Sequence, residues 1–297
     1  MDRRACDGQG PCYSCRVALS SRFAFICSVV AVLGLAASCA KSEKSGFDSD
    51  PADDGGTFSQ ESSTKPDLTG LGEVFGHSET SLFRVDTKTQ TVTEVGTFSG
   101  CAYIADIALD ETSTIYGSNG AELYFIETNT ARCTKIAAGS FPNSLSFVPA
   151  GTLDATSETL VGFQGGDYVK IDRTSGKVTK VGEIGGGYQS SGDVVSVKGG
   201  KTFVTVKGKD CADCLAEIDP KTGALVKNWG SVGAADVFGL AFWGGELYAF
   251  TFGGELLLVN LDTGKAVSKK IPIANAPDGL KFAGAGSTTS APLGPVR

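Results

Sequence analysis

The chain has one histidine, His77, in 297 residues. A single imidazole excludes multi-histidine metal centres and leaves little scope for the commonest general base. It falls in Gly76-His77-Ser78-Glu79, and reads as a solvated loop residue between two strands. Other chemical signatures are missing as well. No Gly-x-Ser-x-Gly elbow marks a hydrolase nucleophile. Gly185-Gly186-Gly187 follows a strand pattern, but no helix pattern comes after it, as a phosphate-binding loop requires. There is no basic stripe, and the formal net charge is −7. An acidic surface repels a phosphate backbone, so nucleic acid is excluded as a partner.

Long apolar runs are scarce too. The longest, residues 23–37, follows Arg16 and Arg22 and ends in Ala36-Ala37-Ser38-Cys39. A basic flank, a short apolar core and small residues before a cut site make a secretory signal. A transmembrane helix needs about 20 apolar residues, more than this run supplies. Cys12-x-x-Cys15 is half of a zinc site, which needs four ligands, and it leaves with the leader. Removing residues 1–38 takes four arginines from the 26 basic residues and two aspartates from the 33 acidic ones. That leaves 22 and 31, a formal charge of −9. Such a chain has no electrostatic hold on anionic lipid, so any membrane link rests on Cys39.

Residues 40–69 are rich in Ser, Asp, Gly, Lys and Thr, with Phe47, Phe58 and Leu68 as the large apolar residues. That composition cannot bury enough surface to offset ordering, and it predicts a flexible linker. The division expected is a signal peptide over 1–38, a lipid-anchored linker over 39–70, a folded domain over 71–283 and a loose, proline-containing tail over 284–297.

Within the folded domain one phrase recurs five times. It runs Leu82-Phe83-Arg84-Val85-Asp86, Leu123-Tyr124-Phe125-Ile126-Glu127, Tyr168-Val169-Lys170-Ile171-Asp172, Leu215-Ala216-Glu217-Ile218-Asp219 and Leu257-Leu258-Val259-Asn260. The last positions are 41, 45, 47 and 41 residues apart. A period in the low forties with several strands per repeat predicts an all-β, five-bladed β-propeller. A glycine sits four residues after the acidic or amide residue in three repeats, at Gly176, Gly223 and Gly264. This spacing predicts a side chain capping its own turn, with glycine in the left-handed position.

The innermost strands align as Ile107-Ala108-Leu109, Leu145-Ser146-Phe147, Val195-Ser196-Val197, Leu240-Ala241-Phe242 and Leu280-Lys281-Phe282. The first repeat has no inner strand ahead of it and the last has no repeat behind it. Leu280–Phe282 is therefore expected to join the N-terminal strands in one blade and remove the free edge.

Polar residues precede these strands: Asp106, Asn143, Asp193, Asp236 and Asp278. Carboxylates converging on a channel repel one another unless they bind a cation or take up protons. Asp106, Asp193, Asp236 and Asp278 are thus the candidate cation site, with calcium as the ion that suits oxygen donors. The alternative is that each caps its own loop. The register favours capping, because Asp106 directly precedes its triplet while Asp193 and Asp278 stand two residues before theirs.

Cys211-Ala212-Asp213-Cys214 reads as a local disulfide in an exported chain. Cys101 and Cys133 remain and could make a second bridge; against it, one precedes an inner strand and the other begins an outer one, at opposite ends of a blade, where a bridge needs Cα atoms within roughly 7 Å, so the sequence leaves their pairing open. Trp229, Trp243, Tyr188, Tyr248, Phe238 and Phe252 cluster late in the chain, either as a sugar-stacking platform or, more commonly for large aromatics, as packing between blades.

The repeated Ile-Asp-x-x-Thr/Ser-Gly turn and segments such as Val237-Phe238-Gly239-Leu240-Ala241-Phe242-Trp243 resemble the quinoprotein-like and YVTN-type β-propeller superfamily. Ala36-Ala37-Ser38-Cys39 resembles a bacterial lipobox, with Ala36 where Leu is usual. Together they resemble propeller lipoproteins of the bacterial envelope. The resemblance implies a palmitate-bearing anchor at Cys39, and Ala40 in place of Asp implies the outer membrane. The cofactor-binding residues of quinoprotein enzymes have no match here, and fold alone carries no activity. Two functions are in play: a non-catalytic binding or scaffold module for an envelope protein or glycan, and a metal-dependent, lactonase-like hydrolase using the four carboxylates.

Overall fold

The computed structural model describes residues 72–296. The described residues all belong to one compact unit. The leader, Cys39 and the linker lie outside the described residues.

The described residues form five four-stranded antiparallel sheets and no helix. Blade 1 contains β1 (Val74–His77), β2 (Ser81–Asp86) and β3 (Thr91–Thr97). Blade 2 is β4 (Asp106–Leu109), β5 (Ile115–Ser118), β6 (Glu122–Ile126) and β7 (Cys133–Ala138). Blade 3 is β8 (Leu145–Val148), β9 (Thr159–Gln164), β10 (Asp167–Ile171) and β11 (Val178–Glu183). Blade 4 is β12 (Gln189–Ser196), β13 (Thr202–Gly208), β14 (Cys211–Ile218) and β15 (Leu225–Ser231). Blade 5 is β16 (Val237–Trp243), β17 (Glu246–Thr251), β18 (Leu256–Asn260) and β19 (Val267–Ile271). The last strand, β20 (Gly284–Ser287), returns to become the inner strand of blade 1, giving the order β20-β1-β2-β3. This is a five-bladed β-propeller whose first and last strands share a blade.

Burial falls from the axis outward. All residues of β4, β8 and β20 are buried, whereas β7, β11 and β19 are mostly exposed or half-buried. Inner strands are covered on both faces and so tolerate no polar alternation. Five apolar clusters fill the gaps between neighbouring blades, one to each interface. Ile107, Leu109 and Ile115 meet Phe75 and Leu82 between blades 1 and 2, for example.

The recurring turn forms as its spacing predicts. The backbone N–H groups of Thr174 and Ser175 donate to Asp172 Oδ1 (3.0 and 2.7 Å), and Gly176 has φ +71°. The two repeats without glycine make the same turn, with Gln90 and Ala131 at φ +56°.

Closure differs from expectation. The closing strand is Gly284–Ser287, four residues beyond Leu280–Phe282, pairing His77↔Gly284 through Val74↔Ser287. Phe282 is fully buried as a wedge between blades 5 and 1, its ring 5.0 Å from Phe250 and 6.2 Å from Phe83. Small residues take the axis because space there is short; a Cβ on Gly286 would lie 2.8 Å from Leu109 Cδ1.

The segment after it is not a loose tail. Thr289 accepts from the Lys198 N–H (2.8 Å) in blade 4, and its hydroxyl donates to Glu158 in blade 3. Ser290 Oγ donates to the Glu111 carbonyl (3.2 Å) in blade 2, and Pro292 accepts from the Gly245 N–H (3.1 Å) in blade 5. The segment thus straps four blades across one end of the ring.

Both disulfides are present. Cys211–Cys214 staples the start of β14, which begins at Cys211 where a loop was expected. Cys101–Cys133 also forms, with Cα atoms 5.7 Å apart. The geometric objection fails because the connection from β3 first runs along the rim of blade 2, where the Cys133 N–H donates to the Ser99 carbonyl (2.7 Å), and only then crosses to the axis.

A chain ending at Ala283 should lose its cooperative thermal transition, because two sheet edges open and the strap is gone. A chain ending at Pro295 should melt with the full-length protein. Differential scanning calorimetry of the two truncations checks this, and equal melting of both would contradict the closure.

Candidate functional site: a buried acid–histidine hub

Asp106 and Asp193 meet on the axis, and His77 joins them. His77 ends β1, Asp106 opens β4, and Asp193 lies in β12 within the register break between Ser190 and Val194. Such a bulge re-aims the side chains it carries. All three residues are fully buried.

Each carboxylate ties its own blade to the next. The Leu145 N–H of blade 3 donates to Asp106 Oδ2 (2.6 Å). The Leu240 N–H of blade 5 donates to Asp193 Oδ2 (2.7 Å), and the Val194 N–H to Asp193 Oδ1 (2.6 Å). With His77 from blade 1, all five blades send a polar group to one point. The Thr205 hydroxyl accepts from the Asp193 N–H (3.0 Å) and fixes the bulge.

Burial pushes both carboxyls well above the usual carboxylate range, and Asp193's charge pushes Asp106 further. Two buried carboxyls in hydrogen-bonding reach hold one proton between them. Asp193 accepts more backbone N–H groups than Asp106, which favours its charged form within the pair. Burial also lowers the His77 pKa to about 4, opposed by its bond to the Ser78 carbonyl. That carbonyl can only accept, so Nδ1 carries the hydrogen (2.8 Å) and Nε2 is bare. Nε2 faces Asp106 Oδ1 at 3.8 Å, and neither atom has a hydrogen-bond partner.

The other two carboxylates of the candidate cation site are elsewhere. Asp236 is exposed in the turn before β16, its N–H donating to Asp213 Oδ2 (2.9 Å). Asp278 is exposed in the turn before the Phe282 wedge. Among the described residues no three His, Cys, Asp or Glu side chains take up metal-binding geometry. The register supplies the signal that sequence reading missed. Asp193 directly precedes Val194, the first core residue of its strand, as Asp106 precedes Ile107, so the two acids are equivalent positions. His77 is a buried strand residue, and the solvated-loop expectation fails because β1 continues through it to pair with Gly284.

The late aromatics divide. The Trp229 ring lies between Lys227 Nζ (3.3 Å) and Lys201 Nζ (5.2 Å), and its Nε1–H donates to Glu217 (3.2 Å). Tyr188 accepts from Asn228 (2.9 Å), and Phe238 and Phe252 stack 5.9 Å apart. Trp243 and Tyr248 line an open cleft of about 670 Å³ between blades 5 and 1, together with Glu73, Arg84, Lys88 and Glu246.

No protein-family model and no curated protein matches the chain. Solved structures similar to it include a protein of unknown function from Bacteroides caccae, 14% identical over 71% of this chain and 76% of that one, with a TM-score of 0.39. Another is a nidogen/laminin complex, 11% identical over 72% and 79%, with a TM-score of 0.43. A third is BamB from Moraxella catarrhalis, 11% identical over 70% of this chain and 62% of that one, with a TM-score of 0.34. At these scores they bear on neither site nor partner.

The folded pKa of His77 lies below its unfolded value, so the unfolded chain takes the proton first. Stability should fall by about 3 kcal/mol as pH drops from about 6.5 towards 4. His77→Gln should flatten that acid limb. The shared proton has the opposite sign: the fold holds it where the unfolded chain releases it, so stability falls as pH rises above the ordinary aspartate range. Asp106→Asn should flatten that limb. Urea unfolding of the three proteins across pH measures both, and unchanged limbs would contradict the assigned protonation states.

Proposed function

We propose that the chain is a lipoprotein of the bacterial cell envelope, of the outer membrane, whose propeller is a non-catalytic binding or scaffold module for an envelope protein or glycan. The observation that carries this reading is how the axis is used. The two carboxylates that meet there are spent on backbone N–H groups of neighbouring blades and are fully buried. One accessible concave surface with aromatic and charged lining is the Trp243–Tyr248 cleft at the rim. A Trp face with acidic and basic neighbours suits recognition of an amphipathic surface. The hydrolase alternative needs Asp106, Asp193, Asp236 and Asp278 to converge, and Asp236 and Asp278 are exposed in separate turns.

The anchor rests on the leader sequence and Cys39. Cells grown with a clickable fatty acid should label the wild-type chain and not Cys39→Ala, and the variant should leave the membrane fraction. An unlabelled, soluble wild type would end the anchor. In the same preparation, calcium and chelator should give equal melting. A ligand at 100 times its dissociation constant stabilises a fold by about 2.7 kcal/mol. A calcium-dependent rise of that size, lost in Asp193→Ala, would make the hydrolase reading the leading one.

A further inference from the structure

His77 Nε2 and Asp106 Oδ1 face each other at 3.8 Å with no partner, inside a fully buried site. That separation is too long for a direct hydrogen bond. Nε2 can only accept, because Nδ1 carries the ring hydrogen. Leaving a buried acceptor unpaired costs about 1–3 kcal/mol, so a native fold rarely does it. A single atom about 2.8 Å from each would satisfy both.

Gly284 packs directly against both atoms. Its backbone needs no glycine on conformational grounds, since its φ is not among the positive values. What it lacks is a side chain. A Cβ there would stand 2.3 Å from His77 Nε2 and 2.4 Å from Asp106 Oδ1. Both orphaned atoms therefore lie against the same bare face of β20, and any larger residue would push them out of place.

We infer that one internal water molecule is a permanent ligand of this hub, donating one hydrogen to His77 Nε2 and bonding Asp106 Oδ1 across the face of Gly284. Water is the small ligand with two hydrogens to give, and buried water of this kind belongs to a fold as much as its side chains do. It couples blade 1 to blade 2 at the seam where β20 closes the ring, and it is independent of which partner the rim cleft takes.

The sole histidine makes the test direct, since every imidazole signal belongs to His77. In the full chain, the carbon-bound His77 ring protons should show cross-relaxation to a long-lived water. An atomic-resolution crystal structure should show one peak within hydrogen-bonding distance of both atoms and no anomalous signal. In Gly284→Ala both the cross-peak and the density should be gone. If that variant fails to fold, the wild-type pair of measurements decides alone. Two results would overturn the inference. One is a peak about 2.1 Å from Nε2 with an anomalous signal, which is a metal ion. The other is no peak, with Nε2 and the Asp106 carboxyl in direct contact.

Discussion

The ring depends on one constraint: backbone donors at the starts of two inner strands, buried on the axis, must find acceptors there. Leu145 and Leu240 find them in the carboxylates of Asp106 and Asp193, each reaching across from the preceding blade. Breaking such a buried bond leaves an N–H with no water to turn to and costs about 1–3 kcal/mol. Because His77 brings blade 1 to the same place, all five blades set a polar group at the hub, while the apolar clusters join them only in neighbouring pairs.

This division of labour explains how the rim can vary while the axis cannot. Outer strands such as β19 carry Val267, Lys269 and Lys270 into solvent and contribute little to the core. Inner strands are small or apolar, and most of their buried polar atoms are hydrogen-bonded. The strap after β20 adds side-chain and backbone bonds to four blades, so the C-terminal residues act as a second closure beyond the shared blade.

Sequence periodicity was enough for the blade count, the order of strands and the self-capping turns, because those features repeat and each repeat tests the others. Features that occur once were hidden. Leu280–Phe282 has the composition of an inner strand, yet crowding on the axis rejects Phe282 and accepts Gly-Ala-Gly-Ser. His77 looked like a loop residue because its strand is short and ends at the residue in question. Asp193 looked out of register by one position because it lies within a bulge, between Ser190 and Val194. The Cys101–Cys133 bridge depends on the path of a connection, which no periodic signal records. Of the four carboxylates, Asp106 and Asp193 directly precede the run that lies on the axis; Asp236 stands just ahead of β16, three residues earlier than the equivalent Gly239 and before a register shift, and Asp278 lies in a turn ahead of β20.

The hub is also why the axis reads as structure and the cleft beside Trp243 as the surface left for recognition. The central claim is that this hub holds the five blades as one cooperative unit. Native-state hydrogen exchange at the Leu145 and Leu240 amides tests it most directly. The account predicts that both exchange only through global unfolding, with the same free energy as the amides of the inner strands in every blade. Faster exchange at either amide, or blades that open at distinct free energies, would contradict it.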